Sequence, residues 1–289
     1  MSRRRFLVPG LLTLPLAAAL AAAPVAQAGS QLTTTRNGYA VDIRPGETWT
    51  QAHARQSTVL GRPEVVRFYY GSAALSWPAG GGFAGSTPLV VSFNRDPAAV
   101  AAGRYDAEIR TFLGKLPRDR PTYVALNHEM DAKIVHGAYS AATARSAWIR
   151  FATLANQTGN PMIKKTLILT GWKYRERLAP LWPGGAYVDV LGVDIFQWES
   201  WQTPQSLFDE DLRIAAEYGK PIAVPEFGVW TGSDATKANF INSVDLYLRG
   251  KVEFISYYED DMSMNAGDHD WRISPLPASA AAWRTATAR

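Results

Sequence analysis

VDVLGVDIF, residues 188–196, is an apolar run interrupted by two aspartates and closed by an aromatic residue. Val, Leu and Ile run through it without strict alternation, the pattern of a strand covered on both faces, as in a parallel sheet. The same reading extends outward in both directions. Upstream lie GYAVDI (38–43), EVVRFYY (64–70), PLVVSFN (88–94), TYVALNHE (122–129) and KTLILTGW (165–172); downstream lie PIAVPEF (221–227) and VEFISYY (252–258). Helical spacing fills the intervals 47–59, 97–116, 141–157, 205–218, 235–249 and 277–287, several opened by Asp, Ser or Thr as a cap. Eight such strands separated by helices predict an α/β protein of one domain, a single (β/α)8 TIM barrel, with a doubly wound open sheet as the competing architecture.

The chain begins with Arg3-Arg4-Arg5, an Ala/Leu-rich stretch and Ala26-Gln27-Ala28, so residues 1–28 read as a signal peptide, of the twin-arginine or the ordinary type. The expected mature protein is then residues 29–289, secreted to the extracellular space. The formal net charge of the whole chain is +4, and three of its positive charges sit in that leader. With no Lys/Arg block elsewhere, neither nucleic acid nor an anionic membrane has an electrostatic case as partner. The absence of cysteine rules out disulfides and thiolate metal sites, so the core alone must hold the fold. No heptad seam appears, and a monomer is expected.

In such a barrel the active site forms at the C-terminal ends of the strands. The fourth run ends in Asn127-His128-Glu129 and the seventh in Pro225-Glu226-Phe227. An apolar strand leading into Glu is unfavourable unless the carboxylate is hydrogen-bonded or reaches a wet cleft. Strands four and seven stand across the ring from each other, so both side chains can converge on one substrate. Two carboxyl groups about 5–5.5 Å apart are what a retaining glycosidase needs, one to attack the anomeric carbon and one to protonate the leaving oxygen. For a single glutamate the alternative is an ion pair with an arginine such as Arg67.

LNHEMD around Glu129, YVDVLGVDIFQW (187–198), KPIAVPEFG (220–228) and, more faintly, DWRI (270–273) give the chain a resemblance to glycoside hydrolase family 26, the mannanase-type barrels. The resemblance implies Glu129 as acid/base, Glu226 as nucleophile, and His128, with Asn127 beside it, as substrate-binding neighbours. Two positions depart from the family pattern. Phe196 stands where many relatives have a tyrosine that hydrogen-bonds the nucleophile, leaving Gln197 or another strand-end group to replace it. Tyr257-Tyr258 stand where a tryptophan often forms a sugar platform.

Sugar rings stack their C–H faces on aromatic surfaces while their hydroxyls seek polar partners. The chain has 10 Trp, and Trp77, Trp172, Trp198, Trp201, Trp230 and Trp271 fall near strand ends or their loops. Trp172 and Trp198 are the expected cleft residues, with Trp271, Phe196, Tyr257 and Tyr258 further along and Asp194, Asn94 and Tyr70 as hydroxyl contacts. Neither a cofactor nor a metal is expected. HEMDA lacks the second histidine of a zinc helix, and no GxSxG elbow occurs. The glycines at 80–82 and 85 lack a phosphate-loop pattern, and Glu259-Asp260-Asp261 with Asp268-His269-Asp270 lacks EF-hand spacing for calcium. The function implied is a secreted endo-β-glycanase on polysaccharide or oligosaccharide. β-1,4-Mannan comes first, β-1,3-xylan and mixed-linkage β-glucan follow, and a carbohydrate-binding barrel without catalysis is the alternative from another class.

Overall fold

A computed structural model describes residues 34–77, 82–198, 200–260 and 270–289. The expected leader, Gly80 and Gly81, and Asp261, Asp268 and His269 of the acidic run lie outside the described residues. The strands are β1 (Arg36–Ala40), β2 (Val65–Gly71), β3 (Leu89–Phe93), β4 (Thr122–Leu126), β5 (Ile163–Thr170), β6 (Val190–Gln197), β7 (Ile222–Val229) and β8 (Phe254–Tyr257). All neighbours pair in parallel, and β8 returns to β1, which closes the barrel. Closure excludes the open doubly wound sheet.

Helices cover the outside: α1 (Trp49–Leu60), α2 (Pro97–Ala101), α3 (Asp106–Gly114), α4 (Met130–Val135), α5 (Ala141–Gln157), α6 (Tyr174–Leu181), α7 (Pro204–Glu217), α8 (Asp234–Leu248) and α9 (Pro277–Thr287). Thr48, Ser140, Thr203 and Ser233 each accept a hydrogen bond from a backbone amide of the first turn, which is why those helices start where they do. The single helix expected over 97–116 is two, because Gly103 takes a φ of +80° between them. The short α4 and α6 had no sequence expectation. None of the described helices is long and apolar enough to cross a membrane.

Alternate residues divide each strand between two cores. Val65, Val90, Tyr123, Ile168, Val190 and Phe254 fill the barrel interior. Val66, Phe68, Val91, Leu167 and Leu191 belong to the larger core between barrel and helices. β1 can sit against β2 only because position 38 is Gly, where a Cβ would come within 1.7 Å of the Val65 carbonyl oxygen. Apolar residues thus pack the N-terminal part of the barrel, and the polar interior residues gather at the other end.

Candidate active site

The seventh strand delivers Glu226 into that polar end. The register between β7 and β8 shifts between Val224 and Phe227, an irregularity that re-aims the side chain inside an otherwise apolar strand. Glu226 is 5% exposed, so its charge requires a partner. Arg67, on the inward face of β2 and wholly buried, donates from Nη2 at 2.7 Å and from Nε at 3.2 Å to Glu226 Oε1. Tyr69, two residues further along the same face, accepts from Arg67 Nε at 2.7 Å and donates its hydroxyl to the same Oε1 at 2.9 Å. Oε2 receives no hydrogen bond from any described residue, so one carboxylate oxygen is anchored and the other is left to the cleft.

Glu129 arrives by a different route. β4 ends at Leu126, and the chain then turns through Asn127 (φ 50°) and Glu129 (φ 53°), both left-handed. Asn tolerates that conformation, but for Glu it is a cost of about 1–2 kcal/mol. The turn is held from several sides. Asn127 clasps the Arg95 backbone, accepting from its amide at 2.8 Å and donating to its carbonyl at 2.7 Å. The Glu129 amide donates to Ile168 O at 2.9 Å. Asp131, buried in the first turn of α4, accepts from Thr170 Oγ1 at 2.6 Å and Arg177 Nη1 at 2.7 Å, tying α4 to β5 and α6.

Carboxyl oxygens of Glu129, Glu226 and Asp194 all lie within 4.8 Å of one another. Three carboxylates cannot share so small a space fully ionised with one guanidinium among them. Burial, then the charges of Glu226 and Asp131, push Glu129 up to about 8. Burial and the charge of Glu226 raise Asp194 well above the usual carboxylate range. Burial would raise Glu226 as well, but the charge of Arg67 and the hydrogen bonds from Arg67 and Tyr69 outweigh it and hold Glu226 below its ordinary value. The site therefore favours a charged Glu226 and a protonated Glu129 near neutrality, with Asp194 shifted in the same direction as Glu129. His128 lies with Nε2 3.9 Å from Glu226 Oε1, and burial pushes it down to about 4, which leaves it neutral.

The cleft continues past Glu129 into a cavity of about 680 Å³ lined by Asp194, Phe196, Trp172 and Trp198 among others. Trp172 is 67% exposed and lies over Arg177, with the guanidinium carbon 4.8 Å from the ring centre. Phe196, Trp198 and Trp271 form one aromatic group, with the Phe196 ring 4.8 Å from Trp271 and edge-on to Tyr258. Gly228, two residues after Glu226, makes room for it: a Cβ there would stand 2.8 Å from Trp271 and 2.9 Å from Phe196. Trp230 joins the group through Trp198, Trp201 packs on Phe240, and Trp77 is half-buried against the outer core.

Four expected contacts are placed elsewhere. Tyr257 faces outward into the core between Phe227 and Trp283, its hydroxyl accepting from the Val229 amide. Tyr70 likewise faces outward, against Phe68 and Phe112, and donates to Ser76 O. Asn127 spends its side chain on Arg95. Asn94 lines a separate cavity of about 620 Å³ with Arg95, Glu108 and Lys133, on the other side of α4. Gln197 braces its own loop, donating to Trp198 O and Ser200 O, and makes no bond to Glu226. The hydroxyl on the nucleophile candidate comes from Tyr69, which strand parity from Arg67 could have found. In the acidic run, Glu259 is buried and accepts from the Ile273 and Ser274 amides, while Asp270 pairs with Arg272.

Solved structures of similar shape can be set beside this geometry. A family 26 β-mannanase from Bacteroides ovatus aligns over 89% of this chain and 88% of its own, with TM-score 0.59 and 14% identity. The fold is the one seen in family 26 mannanases. A β-mannanase from a symbiotic protist of the termite Reticulitermes speratus, solved with a gluco-manno-oligosaccharide, aligns over 89% and 87% with TM-score 0.61 and 16% identity. The endo-β-1,4-mannanase of Cellulomonas fimi covers 91% of this chain over 72% of its own, with TM-score 0.59 and 17% identity. No family model matches the sequence, and no curated protein sequence does either.

Proposed function

We propose that the chain is a retaining glycoside hydrolase of the mannanase type, acting outside the cell on β-linked polysaccharide. The observation that carries this reading is the pair Glu129 and Glu226, with oxygens within 4.8 Å and opposite protonation states. That spacing suits double displacement and leaves no room for the water that an inverting enzyme places between carboxyls about 6.5–9.5 Å apart. Glu226 Oε2 attacks the anomeric carbon while Oε1 stays bound to Arg67 and Tyr69. Glu129 gives its proton to the departing glycosidic oxygen. In the second half Glu129, now ionised, takes a proton from water, the water oxygen attacks the anomeric carbon, and Glu226 leaves as the carboxylate that Arg67 stabilises. Tyr69 supplies the hydroxyl that Phe196 cannot, which weighs against a barrel that only binds carbohydrate.

The aromatic cleft supports a polysaccharide substrate, and the solved mannanases make β-1,4-mannan the first one to try, ahead of β-1,3-xylan and mixed-linkage β-glucan. No metal or cofactor is invoked, and the protein acts as a monomer released from its leader. Purified protein incubated with each polysaccharide and assayed for new reducing ends should release them from mannan. Activity on one of the other two would move the substrate, and inactivity on all three would remove the proposal.

A further inference from the structure

Six acidic side chains are buried among the described residues: Asp131, Asp194, Asp211, Asp245, Glu226 and Glu259. Four are engaged. Asp131 holds Thr170 and Arg177, Asp245 holds Asn37 and Arg249, Glu226 holds Arg67 and Tyr69, and Glu259 holds two backbone amides. The other two, Asp194 and Asp211, have no hydrogen bond or ion pair with a described residue; both Asp194 oxygens are enclosed, whereas those of Asp211 open onto the cavity. Both line the cavity that Glu129 also lines and Glu226 does not. Asp194 belongs to the carboxyl cluster already described, but Asp211 sits on α7, outside it, and is 4% exposed.

Asp211 has no protein partner, and its carboxyl opens only onto the cavity, so whatever enters the cavity meets it. The surroundings narrow the chemistry of that partner. The cavity mixes cations (Lys173, Arg177) with acids (Glu129, Glu210), so neither a metal ion nor an anion is favoured. Trp172 and Trp198 are 67% and 50% exposed, and accessible aromatic surface beside isolated hydroxyl-bonding groups suits a neutral sugar ring. Burial and the neighbouring Glu210 push Asp211 up to about 8, so it is a carboxylic acid that can both donate to one sugar hydroxyl and accept from another.

We propose that Asp211 is a specificity-determining residue that hydrogen-bonds the hydroxyls of a sugar unit on the leaving-group side of the scissile bond. The side follows from Glu129: the group that protonates the leaving oxygen lines this cavity. The inference rests on the glycosidase reading above, and its test separates the two. Binding of β-1,4-linked mannohexaose, cellohexaose and xylohexaose is titrated calorimetrically on Glu226→Gln, whose amide oxygen can still accept from Arg67 and Tyr69 and whose melt confirms that it is folded, with and without Asp211→Leu and Asp211→Asn. Thermal unfolding is followed on the wild type and the Asp211 single variants. At least one hexaose should bind, with Kd weakened about tenfold or more by Asp211→Leu, the worth of one buried hydrogen bond. Asp211→Asn, whose amide also donates and accepts, should stay within about threefold. Asp211→Leu should unfold no earlier than wild type and by rough expectation a few degrees later, because it removes an unengaged polar group. A lower Tm for Asp211→Leu, or equal Kd values with and without it, overturns the role of Asp211 alone. Failure of all three hexaoses to bind overturns it together with the glycosidase reading.

Discussion

Tyr69→Phe removes a single oxygen from the network that keeps Glu226 charged. That oxygen accepts from Arg67 at 2.7 Å and donates to Glu226 Oε1 at 2.9 Å. A hydrogen bond to an ionised group is worth about 1.5–3 kcal/mol, and one pKa unit corresponds to about 1.4 kcal/mol. Its loss should therefore raise Glu226 by about one to two units, toward the lower figure because both Arg67 contacts remain. As the proposed nucleophile, Glu226 must be ionised, so the acid limb of kcat/KM, which reports the free enzyme, should move to higher pH by that amount. Departure of Glu226 from the glycosyl-enzyme loses the same support, and kcat at neutral pH should fall about tenfold. The assay is the pH profile of kcat/KM on an aryl glycoside, with the melting temperature recorded to show that the fold is intact. A folded variant whose acid limb coincides with that of the wild type would refute the claim that Tyr69 tunes Glu226.

Three further outcomes follow from the same geometry. Arg67→Leu leaves Glu226 buried without a counter-charge, so activity should vanish and stability drop by about 3–5 kcal/mol in urea melts at neutral pH. Glu226 is held below its ordinary value in the native protein, so the stability it contributes with Arg67 is present above its unfolded pKa and lost as pH falls through the folded one; the deficit of the variant should shrink in acid. The wild-type rate on natural substrate should decline as pH rises through about 8, where Glu129 loses the proton that its proposed role as acid requires. Gly228→Ala puts a methyl group 2.8 Å from Trp271, so the aromatic group must shift, and the melt should show a loss of about 1–3 kcal/mol with a raised KM.

The eight strands were legible because a two-sided buried strand writes itself as a continuous apolar run, and because eight of them recur with helical spacing between. Both glutamates were legible for the converse reason: a carboxylate is conspicuous at the end of such a run. The details lost were those of parity and backbone. EVVRFYY offers two adjacent tyrosines, and which one faces inward follows from the alternation set by Arg67; the outward Tyr70 was expected in place of Tyr69. The same slip of one residue put Tyr257 beside Tyr258 in the cleft. The run TYVALNHE reads as a strand closing on Glu129, whereas the strand stops at Leu126 and a left-handed turn held by Asn127, Ile168 and Asp131 carries the carboxyl round. The groups that anchor it, Arg95, Ile168, Thr170 and Arg177, are distant in sequence and leave no local pattern. Asp211 is invisible for a similar reason, since on α7 it reads as one more acidic residue in FDED until the cavity beside it is seen.

The assignment of roles to the two glutamates can be tested through one product. Glu129→Ala, given an aryl β-glycoside whose leaving group needs no proton, should still form the glycosyl-enzyme on Glu226 but lack the base for its hydrolysis. Azide needs no base, and its attack on that intermediate is the second of two inversions, so NMR of the product should show a β-configured glycosyl azide. An α-azide from this variant would mean a single displacement with Glu226 not acting as nucleophile, and the account of the site given above would be wrong.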